Sequence, residues 1–115
     1  MNFFVFGDLT IRSELGFVPT AAAIAKVLGV PPFAKDTSGR WEEQDVWVSE
    51  ALGLRFAFSQ MKGEGIDVYG LSIDQPNASH ADGTEKEIDL APYLLALLQQ
   101  DPRLQATPFS PSKGE

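Results

Sequence analysis

The side chain best suited to move a proton near neutral pH is His80, the only histidine in the chain. A Ser-His-Asp triad would have to use it, yet it sits in a polar stretch, and no G-x-S-x-G nucleophile elbow occurs anywhere. His80 and Asp82 form a His-x-Asp pair, but there is no second His and no Cys to complete a transition-metal site. Gly63 and Gly65 match neither G-x-x-x-x-G-K-[ST] nor G-x-G-x-x-G, so a phosphate cradle has no sequence support. A solvated loop histidine is the plainer reading. Carboxylate pairs suited to glycosidase acid–base work exist, as in any acidic domain, and nothing in their spacing singles one out. No catalytic residue, metal ligand or cofactor is expected.

Three further likenesses fail on their flanks. Asp82-Gly83-Thr84 resembles the end of the D-x-D-G-T motif of haloacid-dehalogenase-like phosphatases, but the nucleophile position holds His80, in a loop. Residues 21–30 resemble a helix-turn-helix entry, yet Pro31-Pro32 stands where the recognition helix should begin. Asn77-Ala78-Ser79 fits the glycosylation pattern without a secretory signal ahead of it.

What stands out is the placement of negative charge. Asp36, Glu42, Glu43, Asp45 and Glu50 are opposed in their stretch only by Arg40. Asp74, Asp82, Glu85, Glu87 and Asp89 are opposed in theirs only by Lys86. Both stretches lie in or beside expected loops, where binding residues gather on a rigid scaffold. Trp41 and Trp47 flank the first cluster, and aromatic anchors inside a charged rim suit a protein interface. The bland reading is a solvated acidic surface with both tryptophans in the core.

The whole chain agrees with this charge pattern. Its 115 residues suit one domain that buries roughly two-thirds of the surface it exposes unfolded. An apolar fraction of 43% with 22% charged residues is ordinary for a globular domain. The net charge of −7 argues against nucleic acid and against an anionic membrane, both of which want clustered Lys and Arg. It suits a basic protein partner, which it would steer to fast encounter. With no Cys there is no disulfide framework, and a reducing compartment is the easy reading. The apolar start stops at Phe6 and lacks a basic region before it, so a cytoplasmic location is expected.

The elements that would position these residues centre on a β-hairpin over residues 54–74. Residues 54–60 alternate large apolar with small or polar side chains, residues 61–65 are turn-rich, and residues 66–74 return with β-branched and aromatic side chains. Residues 3–6 read as a first strand closed by Gly7-Asp8, and residues 9–18 as a loop with room for some extended structure. Thr20 is placed to cap a helix whose face carries Ala21, Ile24, Ala25 and Leu28, with Gly29 as its stop. Residues 34–40 read as a loop, and residues 44–49 as a strand followed by a bend. Residues 75–87 read as a long loop. Asp89 then caps a second helix with Leu90, Tyr93, Leu94, Leu97 and Leu98 as its apolar stripe. The expectation is one α+β domain over residues 1–106, an antiparallel sheet of about four strands with two helices packed against it. Residues 107–115, rich in Pro, are expected to form a mobile tail.

The run Asp45-Val46-Trp47-Val48-Ser49-Glu50-Ala51-Leu52-Gly53-Leu54-Arg55-Phe56-Ala57-Phe58 resembles the middle of certain small bacterial immunity proteins. These are inhibitors encoded beside polymorphic or contact-dependent growth-inhibition toxins. A second strand carrying Tyr69 and a closing helix over residues 88–100 extend the likeness across residues 41–100. The resemblance implies a non-enzymatic protein that binds one cognate toxin domain, in many cases a nuclease with a basic cleft. Under that reading the interface residues are Glu42, Glu43, Asp45, Asp82, Glu85 and Glu87, with Trp41 as an anchor. The runner-up is a small acidic enzyme or ligand-binding domain with a pocket between sheet and helix, and a third reading is a subunit of a larger assembly. The oligomeric state has no signature in the sequence.

Overall fold

Polar and apolar residues alternate over Asp8-Leu9-Thr10-Ile11-Arg12, and in the computed structural model of the chain this run is extended. The structure describes residues 3–36, 46–61, 67–75 and 86–108. Strand β1 (Phe3–Arg12) passes straight through Gly7 and Asp8 rather than ending there, and the extended part of residues 9–18 is residues 9–12. Leu9 and Ile11 are buried on one face, while Asp8 and Arg12 are exposed on the other. Gly7 is a site of close approach rather than a stop. A Cβ there would lie 3.3 Å from the backbone nitrogen of Ala91 and 3.5 Å from Cδ1 of Ile73.

Helix α1 (Phe17–Leu28) starts one turn earlier than Thr20 suggests. Gly16 occupies the cap position at φ 95, and Pro19 is tolerated because first-turn amides have no partner within the helix. Thr20 is fully buried inside the helix, and its hydroxyl donates to Ser13 Oγ at 2.8 Å. Ala21, Ile24 and Ala25 face the core as the spacing predicts. Gly29 ends the helix at φ 73, its amide and that of Val30 donating to the Ala25 carbonyl.

The next four strands form an antiparallel ladder. The short β2 (Ala34–Lys35) pairs with β3 (Trp47–Ala51), which pairs with β4 (Leu54–Gln60), which pairs with β5 (Val68–Asp74). The β4–β5 hairpin is the one the alternation predicts. β3 and β4 form a second hairpin, where a bend was expected. Its two-residue turn, Leu52-Gly53, has positive φ at both positions (57 and 78), the type I′ signature that matches strand twist. Buried Ser49 donates to the Pro31 carbonyl at 2.6 Å, which ties β3 to the segment after α1.

The chain then lines the far edge of β1. Strand β6 (Lys86–Asp89) pairs parallel with Phe3 to Phe6, α2 (Ala91–Leu98) follows, and β7 (Gln105–Pro108) returns antiparallel against Leu9 to Arg12. Two expectations are corrected here: residues 86 and 87 belong to a strand, and Thr107 and Pro108 are paired with β1. Asp89 Oδ1 accepts from the Ala91 amide at 2.9 Å, but Asp89 ends β6 and Leu90 holds the cap position of α2, one residue beyond the expected cap. The buried face is Ala91, Leu94 and Leu98, with Leu95 packed beside them. Tyr93 and Leu97 of the expected stripe are exposed instead.

The result is α+β, with the sheet order β2-β3-β4-β5-β1-β6 and β7 also on β1, seven strands among the described residues rather than about four. Among the described residues every strand pair is antiparallel except β1–β6. One core lies between the sheet and both helices. It unites Leu9, Ile11, Phe56, Phe58, Tyr69, Leu71 and Ile73 with Ile24, Leu94 and Leu98. Phe58, fully buried, stacks on Tyr69 at 5.2 Å and meets Phe17 at 4.9 Å. Burying such a side chain contributes roughly 1.5–3 kcal/mol.

Candidate interaction surface

Strand register decides which side chains share a face. Phe58 pairs with Trp47 and Leu71, and Leu71 pairs with Leu9, so these residues line the helix-covered side. The intervening residues must point to the opposite side. There Ala34, Val48, Ala57, Ser72 and Asp8 form one row across five strands. Ser59, Gly70, Thr10 and Thr107 form the next. Both helices contribute to the single core on the other side, so neither covers this face. It is a sheet surface of small and polar residues interrupted by Val48, Phe6 and Met61, the last packed on Thr10 and Gly70.

Carboxylates gather toward one end of that face. Glu50 pairs with Arg55, and Arg55 pairs with Asp74, so the three stand side by side on β3, β4 and β5. Arg55 donates to Asp74 Oδ2 at 3.1 Å, while Arg55 Nε and Asp74 Oδ1 are buried without hydrogen-bond partners among the described residues. Asp89 pairs with Phe6, two positions before Asp8 in the same strand, which brings it onto the same side. Partial desolvation, and then the neighbouring Asp89 carboxylate, raise the pKa of Asp8 above its ordinary value. Arg12, on this side at the far end of β1, makes no ion pair among the described residues.

The expected interface residues divide accordingly. Trp41, Glu42, Glu43 and Asp45, and likewise Asp82 and Glu85, lie outside the described residues. Glu87 is placed in β6 opposite Phe4 by its backbone. The other members of the two acidic clusters are described. Glu50 from the first and Asp74 and Asp89 from the second share one face. Asp36 begins the first cluster at the end of β2, its amide donating to the Val46 carbonyl at 2.8 Å. Trp47 packs toward the core, edge-on to Phe17 at 5.5 Å. Asp8 is the residue that the reading from sequence passed over. Its signal was the alternation through Arg12, hidden by taking Gly7-Asp8 as punctuation.

A cleft of about 650 Å³ opens elsewhere, where the end of β1 meets the starts of β5 and β7. Arg12, Ser13, Glu14, Asp67, Arg103 and Gln105 line it with both charge signs. Arg103 is engaged by Asp101 through its guanidinium, at 2.8 and 3.0 Å. Buried Ser13 accepts from Thr20 and from the Leu15 amide, which fixes its hydroxyl at the cleft wall. Among the described residues no group of three His, Cys, Asp or Glu side chains is placed to hold a metal, and no helix is long and apolar enough to cross a membrane.

No family model, no curated protein and no solved structure matches this chain.

Proposed function

We propose that this chain is an immunity protein that binds and neutralises a cognate bacterial toxin domain through its acidic sheet face. The observation that carries the reading is the convergence of Asp8, Glu50, Asp74 and Asp89 on the side of the sheet that neither helix covers. A basic cleft, such as that of a nuclease, complements such a face and gains in encounter rate from the net charge of −7. Glu42, Glu43, Asp45, Asp82, Glu85 and Glu87 extend the same charge in the sequence, and Trp41 supplies an aromatic anchor. The inhibitor acts by occupying the toxin's active site or substrate path, so it needs no cofactor and no chemistry of its own.

The test is capture of the tagged protein from its own host with mass-spectrometric identification, repeated at high salt and with a Glu50→Lys, Asp8→Lys variant. Neither side chain makes a hydrogen bond among the described residues, and circular dichroism checks the fold of the variant, in which Glu50→Lys sets a like charge opposite Arg55, before the capture is read. Stoichiometric recovery of one toxin, weakened by salt and by the variant, is the expected result. A folded variant that holds the partner as tightly as before overturns the acidic face as the interface.

The second reading, a ligand-binding domain, draws on the cleft at Arg12 and Arg103. Its two charge signs suit a small zwitterion. Ligand-induced shifts of the Arg12 and Glu14 resonances, with no protein captured, would favour it.

A further inference from the structure

The tip of the β3–β4 hairpin carries two unfavourable features at one residue. Leu52 has φ 57, in the left-handed region that bulky L-residues avoid, and its side chain is 98% exposed. A single exposed leucine is ordinary on a protein surface. An exposed leucine held at positive φ is a different matter, because Asn or Gly makes the same two-residue turn with less strain and no apolar surface in water. The ladder demands the turn, since Ala51 pairs with Leu54 directly beneath it, but it does not demand a leucine. Strain retained without a folding reason points to use.

The position of the tip says what that use is. Glu50 precedes it by two residues and opens the Glu50–Arg55–Asp74 row, so the leucine stands at the border of the acidic face. We propose that Leu52 is the apolar anchor of that face, and that its occupant is an apolar pocket rimmed by Lys or Arg on a basic protein domain. This rests on the inhibitor reading and adds the contact that fixes the docked geometry. Charge selects the occupant: an anionic lipid surface also accepts a leucine, but it would meet Glu50 and a net charge of −7. A buried apolar knob inside a ring of charge complementarity is the arrangement that concentrates binding energy.

The experiment places a benzophenone photo-crosslinking side chain at position 52 of the full chain in its host, with the same group at Asp8 and at exposed Tyr93 on the helix side. The expected result is that positions 52 and 8 crosslink one basic protein and position 93 does not, with the position 52 adduct mapping to an apolar pocket of that protein. Leu52→Asn is then titrated against the purified protein. It relieves the left-handed strain, so its melting temperature rises while its affinity falls by at least about tenfold. Binding loss with a raised melting temperature excludes unfolding as the cause. If position 8 crosslinks the partner but position 52 does not, and Leu52→Asn binds unchanged, the anchor is wrong and the acidic face stands. If position 52 crosslinks only lipid, the anchor falls, and if neither position 52 nor position 8 crosslinks protein, the anchor and the inhibitor reading both fall.

Discussion

Asp8 and Asp89 stand on neighbouring strands of one sheet face, and each adds negative charge to the other's surroundings. Asp8 bears the consequence. Partial desolvation and the Asp89 carboxylate both disfavour its ionised form, so the folded protein holds that proton more tightly than the unfolded chain. The pair is a local cost of folding that a cationic partner would relieve.

The sign of that cost is testable. A carboxyl raised in the folded state weakens stability as pH rises through its titration, since the native state binds more protons there. Asp8→Asn should therefore raise stability at neutral pH by a few tenths of a kcal/mol, the usual scale for a surface site. The gain should vanish below the ordinary carboxylate value of 3.8. Urea unfolding at the two pH values measures it, and an unchanged or lowered neutral-pH stability would contradict the repulsion.

Asp101 behaves in the opposite sense. Its side-chain hydrogen bonds with Arg103, together with the Arg103 amide at 3.0 Å, hold its pKa down to about 2. Its contribution is therefore present above 3.8 and is lost as pH falls toward about 2. A carboxyl-detected NMR titration should find the Asp101 midpoint near 2, and Arg103→Gln should move it up toward 3.8.

Gly7→Ala tests the close approach of β1 to the start of α2. The added Cβ meets the Ala91 backbone nitrogen at 3.3 Å, and backbone cannot rotate out of the way as a side-chain tip can. A loss of about 1–3 kcal/mol is expected in denaturant unfolding. Gly29→Ala, where a Cβ meets nothing within 4 Å, isolates the left-handed penalty at φ 73 and should cost about 1–2 kcal/mol. A neutral Gly7→Ala would mean that β6 and α2 dock more loosely on β1.

Phe58→Ala removes the ring that joins Phe17, Phe33 and Tyr69. Its cost should reach about 3–5 kcal/mol, a large share of the roughly 5–15 kcal/mol that holds a typical domain folded. Phe58→Leu, which keeps most of the volume, should retain a cooperative transition at a lower midpoint.

Local sequence determined the elements whose hydrophobic period is carried by their own residues. The β4–β5 hairpin follows from alternation around a turn-rich stretch, and the stop of α1 from Gly29 before Pro31-Pro32. The acidic composition and its division into two clusters were equally legible, because charge is a property of residues and not of their arrangement. Tertiary structure alone decided the rest. β6 and β7 carry no strand pattern of their own, and they are extended because the free edge of β1 supplies their hydrogen-bond partners. Tyr93 and Leu97 keep helical spacing, yet they are exposed because the core lies against Ala91, Leu94 and Leu98, one step round the helix. Glu50, Asp74 and Asp89 come to one face only through strand register, which is long-range pairing that no local window of sequence contains.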